Sequence, residues 1–342
     1  MEHILKSRYR IAEKISENPF SVTYKGTLLG SNKPIVIKIY KRGTLNSSLI
    51  RDMKQKVKDL TLISYHGIAK LLDGDYGWQG FYYVREYIEG KSLHEIMQGN
   101  EPIGEEKALL ITEEATRALE YAHSRGIIHG ALKPSNILLD NQGVVHLADF
   151  VIEGEIKESI PQKVLTIMQN AYYASPEELL GKPATASSDV YSLGLIFLEM
   201  LLGKPIFNET GLLNNLEKLR SATVLTPEML AKLPPYLREI LKKALVHDPV
   251  QRFSRVSEFR ESLEKKMLVG SQNNREDYSE LFETTVARYG EEDIKPEAEI
   301  LEEVGQTKLK WGKEKHRTYI LAAVLAMSVI SGILFAFLWG RY

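Results

Sequence analysis

Two short stretches of this 342-residue chain hold the groups best suited to chemistry: "HGALKPSN" (His129–Asn136) and "ADF" (Ala148–Phe150). Together they supply an imidazole, an ammonium group, a carboxamide and a carboxylate, on His129, Lys133, Asn136 and Asp149. A further lysine, Lys38, lies in the apolar stretch "IVIK". Such groups position a substrate and neutralise its charge.

Composition narrows the field further. The chain has no cysteine, which excludes disulfides, thiol catalysis and cysteine-ligated zinc, and fits a folded part kept in a reducing compartment. The net charge is −1, with no basic excess, so nucleic-acid binding is not indicated.

The elements that must position these residues follow from periodicity. Residues from about 9 to 95 read as short strands with one helix. "KPIVIKIY" is β-branched and alternating, as a strand requires. "SLIRDMKQKVKDLTLI" sets Ile50, Met53, Val57, Leu60 and Ile63 at helical spacing. From about 92 to 267 helices dominate, among them "EEKALLITEEATRALEYAHSRG" and "SDVYSLGLIFLEMLLG", the latter ending at a glycine stop. Residues 268–317 form a linker, acidic from Glu276 to Glu303 and basic at its end.

Beyond the linker, Thr318 to Trp339 carries no charged residue, long enough to cross about 30 Å of hydrocarbon as a helix. Tyr319 and Trp339 stand near its ends, as interfacial aromatics do. Lys308, Lys310, Lys313, Lys315 and Arg317 precede it, and Arg341 alone follows. The positive-inside rule then predicts a single-pass tail anchor in the lipid bilayer, with the N-terminal part in the cytoplasm.

Several motifs stand in a telling order: "IVIK", "YVREYIEGKSL", "HGALKPSN", "ADF", "ASPEE", "SDVYSLG" and "DPVQRFS". On these the chain resembles the eukaryotic-like (Hanks-type) Ser/Thr protein kinases over about residues 9–267. The resemblance implies an α+β, bilobal kinase-like fold, with a small β-rich lobe over about 9–90 and a larger helical lobe over 91–267. The transmembrane helix at 318–339 follows it. It also implies ATP and Mg2+ as cofactors. Lys38 would bind phosphate, Val36, Glu86, Ile88 and Leu138 would complete the nucleotide site, and Lys133 would steady the transferring group. Asn136 and Asp149 would hold magnesium.

The departures from the family pattern fall on the chemistry. The three glycine positions of the phosphate loop hold Ser16, Asn18 and Ser21, and Pro19 removes a backbone donor. The acid that normally supports Lys38 is replaced by Lys56, with the shorter Asp52 one turn earlier. Val36 narrows the base slot. Arg85, at the back of the pocket, must either pair with an acid or project into the nucleotide site. Ala131 stands at the catalytic-base position and Gly130 at that of the preceding arginine; Val151 and Asn170 replace a glycine and a threonine further on. The scaffold positions match: Leu60, Leu71, His129 and Phe150 for the apolar column, and Asp189, Glu177 and Arg252 for the buried polar anchors. Chemistry lost and scaffold kept is the pattern of a pseudokinase, one acting through protein partners in the cytoplasm, an active kinase among them. The alternative is a slow Ser/Thr kinase working with Lys38, Lys133, Asn136 and Asp149.

Overall fold

The computed structural model describes residues 3–99, 102–150, 172–207 and 224–270. Val151, Asn170, most of the linker and the apolar stretch at 318–339 lie outside the described residues. Among the described residues no helix is long and apolar enough to cross a membrane.

The small lobe is an antiparallel sheet of six strands. These are β1 (His3–Leu5), β2 (Tyr9–Glu17), β3 (Ser21–Leu28), β4 (Pro34–Lys41), β5 (Leu71–Gly77) and β6 (Gly80–Glu86), in the order β1-β2-β3-β4-β6-β5. Strand alternation gives this sheet two jobs. Ile35, Ile37 and Ile39 of β4 turn to one face and pack with Leu5, Tyr9, Tyr82 and Val84 in a small apolar cluster. Val36, Lys38 and Tyr40 turn to the other. There Tyr40 joins Phe81 and Tyr83 in the main core, beside α1 (Ser47–Thr61). Asn46 caps α1 by accepting from the Leu49 amide at 2.8 Å, and Leu49, Met53, Val57 and Leu60 form its buried stripe.

The large lobe is built around two helices, α3 (Glu105–Ser124) and α5 (Ala186–Leu202), with the short α2 (Leu93–Met97) and α4 (Pro176–Leu179) preceding each. Helix α5 is buried on every side from Ser187 to Met200. Leu193, Ile196, Phe197 and Met200 are fully buried, so it forms the core of the lobe and not its surface. Thr185 caps its start, and Gly203, at φ +66°, ends it in the left-handed conformation that glycine adopts without strain. Three further helices, α6 (Pro227–Lys232), α7 (Pro235–Ala244) and α8 (Val256–Gly270), complete the described part of the lobe. Residues 87–89, the hinge, lead from β6 into a three-stranded sheet of β7 (Gly90–Ser92), β8 (Ile137–Asp140) and β9 (Val145–Leu147), which adjoins in sequence the loops that carry the chemistry.

Candidate nucleotide and phosphotransfer site

The site begins with the register of the small lobe. Val36 of β4 pairs directly with Lys25 of β3 on one side and Arg85 of β6 on the other. Directly opposed residues share a face, so Lys25, Val36 and Arg85 form one row, with Lys38 two residues along β4 on the same face. Lys38 and Val36 are both buried. Lys25 closes the outer end of the row by placing its ammonium 4.1 Å from the ring centre of Tyr87, in the hinge.

Asp149 is where the lobes meet. Lys38 Nζ lies 3.4 Å from its Oδ2, and Arg85 Nε donates to its Oδ1 at 3.2 Å. Arg85 thus pairs with an acid, as a buried guanidinium must. It also reaches the hinge, where its Nη1 donates to the Glu86 carbonyl at 3.1 Å. Lys38 faces Asp149, and α1 carries no glutamate; its Lys56 is half-buried and its Asp52 exposed. Asp149 itself adopts φ +62°, an uncommon conformation for a residue with a side chain.

The loop between β2 and β3 is held by its own residues. The Asn18 side-chain oxygen accepts from the amides of Phe20 (2.9 Å) and Ser21 (2.7 Å), and the Asn18 amide donates to the Ser21 carbonyl (2.9 Å). This is an Asx turn. Two backbone donors at the tip, the kind a glycine-rich loop turns toward phosphate, are therefore spent on a side chain. Glu17 adds a negative charge beside the turn. Hydrogen bonds from Lys41 (2.8 Å) and Lys14 (3.0 Å) keep its carboxyl ionised, with the pKa lowered to about 2.

The loop at 129–136 is fixed from below. Asp189 of α5 accepts from the backbone amides of His129 and Gly130, both at 2.9 Å, and from His123 Nε2 at 2.8 Å. Burial opposes its ionisation, but the bond from His123 and the other donors outweigh that and hold its pKa below the usual value. His129 donates through Nε2 to the Ala148 carbonyl (3.1 Å) and packs against Phe150, ring centres 4.4 Å apart. The apolar column read from the sequence thus has one of its contacts here. Gly130 takes φ +69°. Ala131 is buried, and its carbonyl accepts from Asn136 Nδ2 at 3.0 Å. In the second buried anchor, Arg252 donates to Glu177 through Nη1 (2.8 Å) and Nη2 (3.2 Å). Burial raises the Glu177 pKa, but the Arg252 bonds more than compensate and lower it.

A search against family models matches residues 9–268 to the protein kinase domain. The chain belongs to the protein kinase family. A "Probable serine/threonine-protein kinase" of Clostridium perfringens is 31% identical over 264 residues, which is 77% of this chain and 38% of that protein. Serine/threonine-protein kinase PrkC of Bacillus subtilis is 25% identical over 340 residues, 96% of this chain and 52% of that one. The chain therefore spans about half the length, or less, of these curated relatives. Among solved structures, the kinase domain of Mycobacterium tuberculosis PknI superimposes with a TM-score of 0.62 at 20% identity, covering 78% of this chain and 98% of that one. That likeness concerns the fold alone.

Members of the protein kinase family generally use ATP and Mg2+. Of the residues read as candidates for that chemistry, the structure brings Lys38 and Asp149 together, with Arg85 between Asp149 and the hinge. Asn136 is joined to the 129–136 loop through the Ala131 carbonyl. Lys133 is half-buried in the same loop. Leu138 lies on β8, paired with Ser92 and His146, and Ile88 is half-buried in the hinge. Glu86 uses its side chain elsewhere: Oε1 accepts from the Lys70 amide at 2.7 Å. This kinase site does not fit a magnesium ion as the family would place it, since each oxygen of Asp149 already faces a protein cation. The sequence signalled Arg85 by its type alone. Asn18 was visible only as a missing glycine.

Proposed function

We propose that the chain is a membrane-anchored pseudokinase that works by binding protein partners in the cytoplasm, an active kinase among them. The observation that carries this reading is Ala131. It stands at the catalytic-base position of a kinase loop whose first two amides are held by Asp189, so the turn into the loop is kept without the carboxylate that would take the substrate's proton. The Asn18 turn and the missing glutamate on α1 support it. The anchor at 318–339 rests on the uncharged stretch and its basic flank alone.

A second reading, a slow Ser/Thr kinase, draws on retained Lys38, Lys133, Asn136 and Asp149 and on relatives described as Ser/Thr kinases. Loss of a base slows proton transfer by about 10²–10⁴-fold, and a loose phosphoryl-transfer transition state asks little of a base.

A radiolabel assay on the full chain, with Lys38→Ala as control, separates the two. The pseudokinase reading predicts no transfer above the control. Magnesium-dependent labelling lost in Lys38→Ala would establish the slow kinase. For the anchor, the full chain should sediment with membranes and resist high-salt extraction; recovery in the soluble fraction would remove it.

A further inference from the structure

We propose that Arg85 has taken the place of the divalent cation at Asp149, so that this site excludes magnesium and admits a nucleotide only as the free anion. The proposal rests on reading the region around Lys38, Glu86 and Asp149 as the family's nucleotide site, but not on the absence of phosphotransfer.

The geometry is specific. The Arg85 side chain is only 11% exposed and is fixed at two points, Asp149 Oδ1 (3.2 Å) and the Glu86 carbonyl (3.1 Å). Lys38 approaches the other oxygen of Asp149 at 3.4 Å. One carboxylate therefore serves two positive charges before any ion arrives. Magnesium needs oxygen ligands at about 2.0–2.1 Å in near-octahedral order and gives up its water reluctantly. On either oxygen it would sit against a guanidinium or an ammonium group, in a pocket where water screens little. The guanidinium cannot relieve this by losing its proton. Swinging away would cost it both its bond to Asp149 and its bond to the Glu86 carbonyl. A polyphosphate without metal meets the opposite situation: Lys38 and Arg85 offer it the charge that magnesium supplies elsewhere.

The test is an ATP titration of the full chain by calorimetry, first with EDTA and then with excess magnesium chloride. Wild type is compared with Arg85→Met and Arg85→Gln, each checked by its unfolding midpoint. Should Arg85→Met fail to fold, Arg85→Gln, which keeps a donor for Glu86, reads the same point. We expect magnesium to leave wild-type affinity unchanged or weaker, and to raise that of the variants at least tenfold. A magnesium gain in wild type equal to that of the variants overturns the proposal. So does the absence of any gain in the variants, because Arg85 would then not be what keeps the metal out. The two readings fail separately. A wild-type chain that transfers phosphate but gains nothing from magnesium in binding sinks the pseudokinase and leaves this proposal standing. A wild-type magnesium gain without transfer does the reverse.

Discussion

Gly130 turns the 129–136 loop at φ +69°, where a residue with a Cβ is strained by about 1–2 kcal/mol. The arginine that the family places there would carry that strain; glycine does not. Gly130→Arg is therefore expected to lower stability by about 1–2 kcal/mol, read as a lower urea midpoint at unchanged slope, and to bring no phosphotransfer. Residue-level losses of this kind were plain in the sequence, because a motif fixes which residue type belongs at each position. What replaced them was not. The partner of Arg85 lies 64 residues away, and the reading from type alone left two fates open, pairing with an acid or projecting into the site. The structure makes them one: Arg85 pairs with the site's own acid. Asn18 shows the same limit. Its identity announced a lost glycine, while its two bonds to following amides depend on a turn that only the fold displays.

Helices were legible where one face is apolar over several turns. The spacing of Met53, Val57 and Leu60 places α1, and the apolar run closed by Gly203 places α5. The β7-β8-β9 sheet escaped, since strands of three or four residues carry too little alternation to register. Helix α5 also hides a carboxyl group, that of Glu199, inside its apolar run. Burial of Glu199 raises its pKa to about 7, against the bonds it accepts from the Ile206 amide and Tyr173, both 2.8 Å. Between pH 4.5 and 7 the folded chain thus keeps a proton that the unfolded chain has released. Its contribution to stability is complete below the unfolded value and is lost as pH rises through about 7. Wild type should lose about 2 kcal/mol more than Glu199→Gln between pH 5.5 and 7.5, measured by urea unfolding at each pH. Equal losses in the two proteins would show that Glu199 is ionised throughout.

On the pseudokinase reading, the departures from the family pattern are spread over both lobes, so no single substitution should confer phosphotransfer. Ala131→Asp returns a carboxylate to the loop, but Asn18 still holds the tip amides and Arg85 still holds Asp149. Misplacement of about 1 Å can cost 10²-fold, and such deficits compound. Ala131→Asp alone should raise autophosphorylation less than tenfold. Adding Arg85→Met, Lys56→Glu, Ser16→Gly, Asn18→Gly and Ser21→Gly should raise it by a further factor of 10² or more. Full recovery from Ala131→Asp alone would mean that the small lobe already binds its nucleotide productively. The buried polar anchors, by contrast, are in place among the described residues, and Asp189 shows how far that reaches. The amide protons of His129 and Gly130 both end on this one carboxylate inside α5. They meet solvent only when the helix and the loop come apart, an event that belongs to the slowest openings a fold undergoes. Expressed in time, the start of the loop keeps one shape for as long as α5 and the loop stay joined.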